Sequence, residues 1–285
     1  MRAPETLDAL RLLGVARDRR HLPRLLAALT HPDHAHRALA VRGISWLRDA
    51  RLGAHLYPLV TDAEVEVRVA AVASLAVLRD VEAGPALEAA LASDPAAAVR
   101  AAAARTLGWL RLDESGPALV QTLEDDPDAE VQARAARALG RLQYAPATGA
   151  LAAALSAEAA EVRRGAVSAL GQLATQSAEE AALAVTDALS ARLTDRDPET
   201  RALALRALAR CGAADALRHS LAALDDPNPG VRVTAAVALR RLGDERAIPA
   251  LRARVDDPHP EAAAQLRKTL LQLTGLRSPD QPDGR

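Results

Sequence analysis

The chain has 285 residues, 49% of them apolar, yet it contains no Phe, two Trp and two Tyr. Alanine, leucine and valine must build its interior, which suits closely packed helices better than a β-sandwich or a catalytic α/β core. A formal net charge of −1 argues against a dedicated nucleic-acid domain, for which a pI above about 9 is expected. Cys211 is the only cysteine, so an intrachain disulfide is excluded.

In chain order, residues 5–14 read as a second helix lacking its first, an N-terminal half-repeat cap. Acids at Glu5 and Asp8 interrupt any signal-peptide run, and no uncharged stretch reaches the roughly 18 residues of a membrane span. A cytoplasmic protein without membrane contact is expected. From about residue 21 one apolar template recurs, cleanest at Val131-Gln132-Ala133-Arg134-Ala135-Ala136-Arg137-Ala138-Leu139-Gly140-Arg141-Leu142. With the residue after its first Val as column zero, the anchors are Arg37, Arg68, Arg100, Gln132, Arg163, Arg201, Arg232 and Ala263. Their spacings are 31, 32, 32, 31, 38, 31 and 31 residues. Such a period marks stacked units that cannot bury their apolar faces alone.

Each unit reads as two helices. In the second, column plus seven is Leu or Ile, column plus ten is Leu except at Cys211, and column plus three is Ala except at Leu266. These offsets draw an apolar stripe along a 3.6-residue helix, with alanines that let a partner approach closely. The first helix opens on Pro85, Pro117 or Pro249, tolerated because the first turn has no N–H to lose. Asp recurs at column minus six, six residues before the anchor. This spacing predicts charge-assisted hydrogen bonds tying successive turns together. Asp62, Arg68, Asp94, Arg100, Asp126, Arg163, Asp195, Arg201, Asp226 and Arg232 are therefore assigned to the scaffold. The 38-residue step inserts seven residues around 174–180, as two extra turns of first helix or as a longer loop. The polar, Pro-containing residues 276–285 are expected to be a disordered tail.

The pattern Asp-Pro, then Val-Arg-x-x-Ala-Ala-x-Ala-Leu-Gly-x-Leu, then Ala-x-Pro-Ala-Leu, resembles the HEAT-like repeats of the phycobilisome-lyase type. The resemblance covers residues from about 20 to 275. It implies an all-α, right-handed α-solenoid, an armadillo/HEAT-like superhelix of about eight helix pairs plus the N-terminal half-repeat. Residues 1–275 would form a single solenoid with the second helices lining a concave face. Members of the family include scaffolds, chromophore lyase subunits, an iron-dependent hydroxylase and DNA glycosylases, so fold alone does not select a function.

With columns plus three, plus seven and plus ten buried, columns plus two, plus five and plus nine are expected on the opposite side. Nine of those 24 positions are basic and none is acidic. Both tryptophans fall in column plus nine. The expected partner-binding groove is Arg42, Trp46, Arg105, Trp109, Arg134, Arg137, Arg141, Arg206, Arg210 and Arg241. Trp and Arg are the residues that carry most interface energy, and an acid-free basic face attracts an acidic partner.

Catalytic signatures are absent. The resemblance to deoxyhypusine hydroxylases implies His-Glu iron ligands, but none of the seven histidines precedes a Glu. In His31-Pro32-Asp33-His34-Ala35-His36 the helical geometry separates His34 from His36 by about 200°, so a turn with solvated histidines is expected and no metal. Trp109 with Asp113 is a superficial echo of the glycosylase branch. No cofactor is implied. The leading expectation is a non-enzymatic scaffold or adaptor holding an acidic protein partner. The alternatives are a phycobilin lyase-type subunit acting on a tetrapyrrole and a nucleic-acid-binding solenoid.

Overall fold

A computed structural model describes residues 18–175 and 179–275, with backbone alone at 179–182. The proposed cap at 5–14, the tail at 276–285 and part of the insertion (176–178) lie outside the described residues. Among the described residues the chain is helical with no strand, and none of its helices is long and apolar enough to cross a membrane. The chain divides into two compact units, Met1–Ala147 and Thr148–Arg285.

The first unit holds four helix pairs. They are α1 (Leu22–Ala28) with α2 (His34–Ser45), two 3₁₀ stretches (Ala50–His55 and Tyr57–Thr61) with α3 (Val65–Leu78), α4 (Gly84–Ser93) with α5 (Ala97–Leu110), and α6 (Gly116–Asp125) with α7 (Ala129–Leu142). The second unit repeats the plan with α8 (Thr148–Ala154) and α9 (Ala160–Leu173), α10 (Glu179–Ser190) and α11 (Pro198–Cys211), α12 (Ala216–Ala222) and α13 (Pro229–Leu242), α14 (Ile248–Arg252) and α15 (Pro260–Leu273). Among the described residues the helix that follows the insertion is the longest first helix: α10 has 12 residues, against 10 in α4 and 7 in α12.

Leucines at column plus seven lie at the centre of each layer. Leu75, Leu107 and Leu139 are fully buried in the first unit, and Leu170, Leu208 and Leu239 in the second. Around them the small residues set the helix spacing. A Cβ on Gly108 of α5 would stand 2.8 Å from both the Cα and the Cβ of Ala138 on α7, so only glycine permits this approach. Buried hydroxyls add bonds between layers: Thr106 Oγ1 donates to the Val72 carbonyl at 3.2 Å, and Thr269 Oγ1 to that of Ala236 at 3.0 Å.

The turns carry the most regular interaction of all. In the first unit Arg68 grips Asp94 of the next repeat, Nε to Oδ2 at 2.7 Å and Nη2 to Oδ1 at 3.0 Å, while its Nη1 donates to the Asp62 carbonyl at 2.8 Å. Asp94 Oδ1 also accepts the Ala96 N–H at 2.9 Å. The same rung recurs as Arg37–Asp62 and Arg100–Asp126. In the second unit it recurs as Arg163–Asp195, Arg201–Asp226 and Arg232–Asp257. Gln132 keeps only the bond to its own turn, Nε2 to the Asp126 carbonyl at 2.8 Å. At its own column minus six, the following repeat carries Ala157 in place of an aspartate.

Three outcomes follow from this packing. Gly108→Ala gains helix propensity but forces α5 and α7 apart, and should lower unfolding free energy by about 1–2 kcal/mol in urea titration. Asp126→Ala leaves the Arg100 guanidinium, 12% exposed, without its carboxylate; a loss of about 3 kcal/mol is expected. Finally, arginine hydrogen bonds hold the Asp62 and Asp257 carboxyls below the ordinary carboxylate range, outweighing desolvation. A carboxyl whose pKa falls on folding stabilises fully above its unfolded value near 3.9, and less as pH drops through the folded value. Urea midpoints should therefore be flat down to about pH 5 and fall below about pH 4.

Candidate partner-binding face

The outer side of the second helices is uneven. Trp109, in the last turn of α5, is 60% exposed. The Arg141 guanidinium from α7 lies over its ring, 4.3 Å from the centroid. Such a cation–π contact contributes about 0.5–2 kcal/mol and fixes the planes of both groups. Burial, then repulsion from Arg134, Arg137 and Arg105, pushes the Arg141 guanidinium below its ordinary pKa. Four of the expected arginines therefore gather around one exposed tryptophan in the first unit. No carboxylate among the described residues is ion-paired to Arg105 or Arg141.

The remaining positions behave differently. Trp46 caps the C-terminus of α2 and is half-buried. Arg42 is exposed and pairs with Glu66 at 3.2 Å. Arg134 pairs with Glu130 one turn earlier on α7, and Arg137 is half-buried. In the second unit Arg206, Arg210 and Arg241 are exposed, and none is ion-paired among the described residues.

Two sequence expectations need correction. Column plus two lies at the edge of the open side: Ala70, Ala102 and Thr234 are only 5–7% exposed, while Leu39, Arg134, Leu203 and Gln265 are half-buried. Within each unit the second helices of adjacent repeats pack against one another as well as against their own first helices, so the buried arc is wider than the leucine stripe. The face is also not free of acids. Column minus two lies on the same side and holds Glu66, Glu130, Glu161, Glu199 and Glu261. Acids thus occupy the N-terminal ends of the second helices and arginines the C-terminal ends, as the helix dipole favours. The third repeat has Ala98 at that column, which leaves Arg105 and Trp109 clear of the acidic row.

Below Trp109 a groove of about 690 Å³ opens within the first unit. It is lined by Val77, Val81 and Trp109, three of the few large apolar side chains left exposed, and by Arg48, Arg79, Arg105 and Arg111. Arg48, Arg79 and Arg111 occupy column plus eleven, one place beyond the template read from the sequence. The signal was there: column plus eleven changes from Arg48, Arg79 and Arg111 to Gly212 and Gly243.

The other reactive side chains have local roles. Cys211 is half-buried, its thiol donates to the Leu208 carbonyl at 3.5 Å, and burial raises its pKa, all unsuited to a nucleophile. His36 is not a solvated side chain: it is 14% exposed, stacks on His31 with ring centroids 4.0 Å apart, and bonds Asp33 at 3.1 Å. This is a packed turn, and no three His, Cys, Asp or Glu among the described residues are placed to hold a metal.

The family of HEAT repeats matches residues 53–131, 116–186 and 185–270. No curated protein matches the chain. Among solved structures it is similar to YibA of Escherichia coli, with a TM-score of 0.59 and 18% identity over 95% of this chain and 98% of that one. An engineered protein gives 0.53 and 21%, covering 95% and 85%. The complex of CpcE and CpcF of phycocyanin lyase from Nostoc gives 0.52 and 20%, covering 96% and 97%. At these identities the likeness concerns fold alone. With the period, the helix pairs and the Arg–Asp rungs already in place, the match over most of its length assigns this chain to the HEAT-repeat proteins.

Proposed function

We propose that this chain is a non-enzymatic scaffold or adaptor that binds an acidic segment of a partner protein. Trp109 is the apolar anchor, and Arg105, Arg137 and Arg141 orient the segment. The observation that carries the reading is the exposed Trp109 ring held under Arg141 among cations with no carboxylate paired to Arg105 or Arg141. The helix dipole accounts for arginines near helix ends, worth about 0.3–1 kcal/mol each. It does not account for a tryptophan left open beside them.

The same cations would suit the propionates of a tetrapyrrole or the phosphates of a nucleic acid. Single-stranded nucleic acid needs a succession of stacking rings, and the chain has only two tryptophans and two tyrosines. The likeness to the phycocyanin lyase complex supports the shared fold.

Intrinsic tryptophan fluorescence tests the reading directly. A Glu-rich peptide should shift Trp109 emission saturably, with affinity falling as salt rises. Trp109→Ala and Arg141→Glu should each weaken binding by about tenfold or more, with a thermal midpoint only a few degrees below the parent's from the lost cation–π contact. Tighter binding of single-stranded DNA or of a bilin than of the peptide would overturn the assignment.

A further inference from the structure

The residues Arg48, Arg79 and Arg111 adopt left-handed backbone, with φ of 50°, 59° and 55°. Glycine fills such a position without strain, and an L-residue does not. In the second unit the helix-terminal left-handed positions are glycines: Gly212, Gly243 and Gly275, with φ of 69°, 69° and 68°. Attraction of a cation to a helix C-terminus would favour arginine equally in both units, so it does not explain the difference. Neither does an internal ion pair, since no carboxylate among the described residues is paired with any of the three. Gln143, φ 56°, occupies the fourth such position of the first unit and does not line the groove. The three strained arginines all do.

Resting on the partner-binding reading above, we propose that this row recognises the spacing of carboxylates along a partner segment in polyproline II conformation. Second helices of adjacent repeats pack about 8–10 Å apart, so the row presents one guanidinium at about that interval. A polyproline II segment has three residues per turn and rises about 3.1 Å per residue, which places side chains i, i+3 and i+6 on one face about 9 Å apart. A β-strand alternates faces and puts its third residue on the wrong side. The partner is therefore an acidic, proline-containing segment with Asp or Glu at every third residue. One apolar side chain between them enters the groove at Val77, Val81 and Trp109.

Three synthetic peptides of about ten residues with identical composition would test this on the full chain by calorimetry. One carries Glu at i, i+3 and i+6 around a central Leu, one has Glu at i, i+2 and i+4, and one is scrambled. The first should bind about tenfold tighter than the others. The triple variant Arg48→Gly, Arg79→Gly, Arg111→Gly keeps a backbone that glycine accepts, so its thermal midpoint should equal or exceed the parent's. It should bind all three peptides equally and at the weaker level. Equal affinity of the parent for all three peptides, or a spacing preference surviving in the glycine variant, overturns the proposal. If binding is independent of spacing yet weakened by Arg141→Glu, the partner-binding reading stands and this inference alone falls. If no acidic peptide binds, both fall.

Discussion

The bidentate arginine–aspartate rung is the constraint on which the rest of this structure depends. One guanidinium spends three N–H groups at once: two on the carboxylate of the next repeat and one on a carbonyl of its own turn. The same carboxylate also accepts a turn N–H, as Asp126 does from Asp128. Backbone groups that a tight turn would leave unsatisfied are thereby matched. A buried ion pair adds little net stability over a hydrophobic contact, because desolvation offsets attraction. Its consequence here is geometric. A planar fork meets a carboxylate in one orientation, so the rung fixes the register of each turn against the next.

That commitment sorts the arginines. Those at column zero are consumed internally, with side chains 5–14% exposed. Of the remainder, some pair locally, as Arg42 does with Glu66 and Arg254 with Asp225, whereas Arg105, Arg141, Arg206, Arg210 and Arg241 have no ion-pair partner among the described residues. Around Trp109 the arginines crowd together, and Arg141 tolerates both burial and three like-charged neighbours in return for one aromatic face. Strain of two kinds is thus concentrated in the first unit, as repulsion among cations and as left-handed arginines. Among the described residues the second unit has glycine at its left-handed positions and exposed Arg206, Arg210 and Arg241. Local unfavourable energy confined to one exposed face is a mark of binding, because an external anion relieves it.

The HEAT-repeat fold does not by itself select among scaffold, lyase subunit and nucleic-acid reader. What favours a binding role is the composition of the face. The cation–π pair of Trp109 and Arg141 and the groove edged by Val77 and Val81 are the features on which the proposed recognition rests. Cys211 and the histidine turn, the side chains best suited to chemistry, are engaged in packing and local hydrogen bonds.

The sequence by itself determined the repeat. A 31- or 32-residue period, leucine at column plus seven and the Asp–Arg spacing all express local rules: helical periodicity, capping and turn chemistry. Within each repeat these depend on residues a few positions apart, although the rung itself joins residues 25 to 32 apart. It also singled out Trp109 and Arg141, because both lie in one column. Only the tertiary structure decided how wide the buried arc is, since the burial of Ala70 and Ala102 comes from neighbouring repeats. Tertiary structure likewise placed Glu66 beside Arg42, and brought Arg48, Arg79 and Arg111 to one groove. Column arithmetic describes a single helix in isolation, whereas exposure and charge balance arise from elements that meet only when the chain has folded.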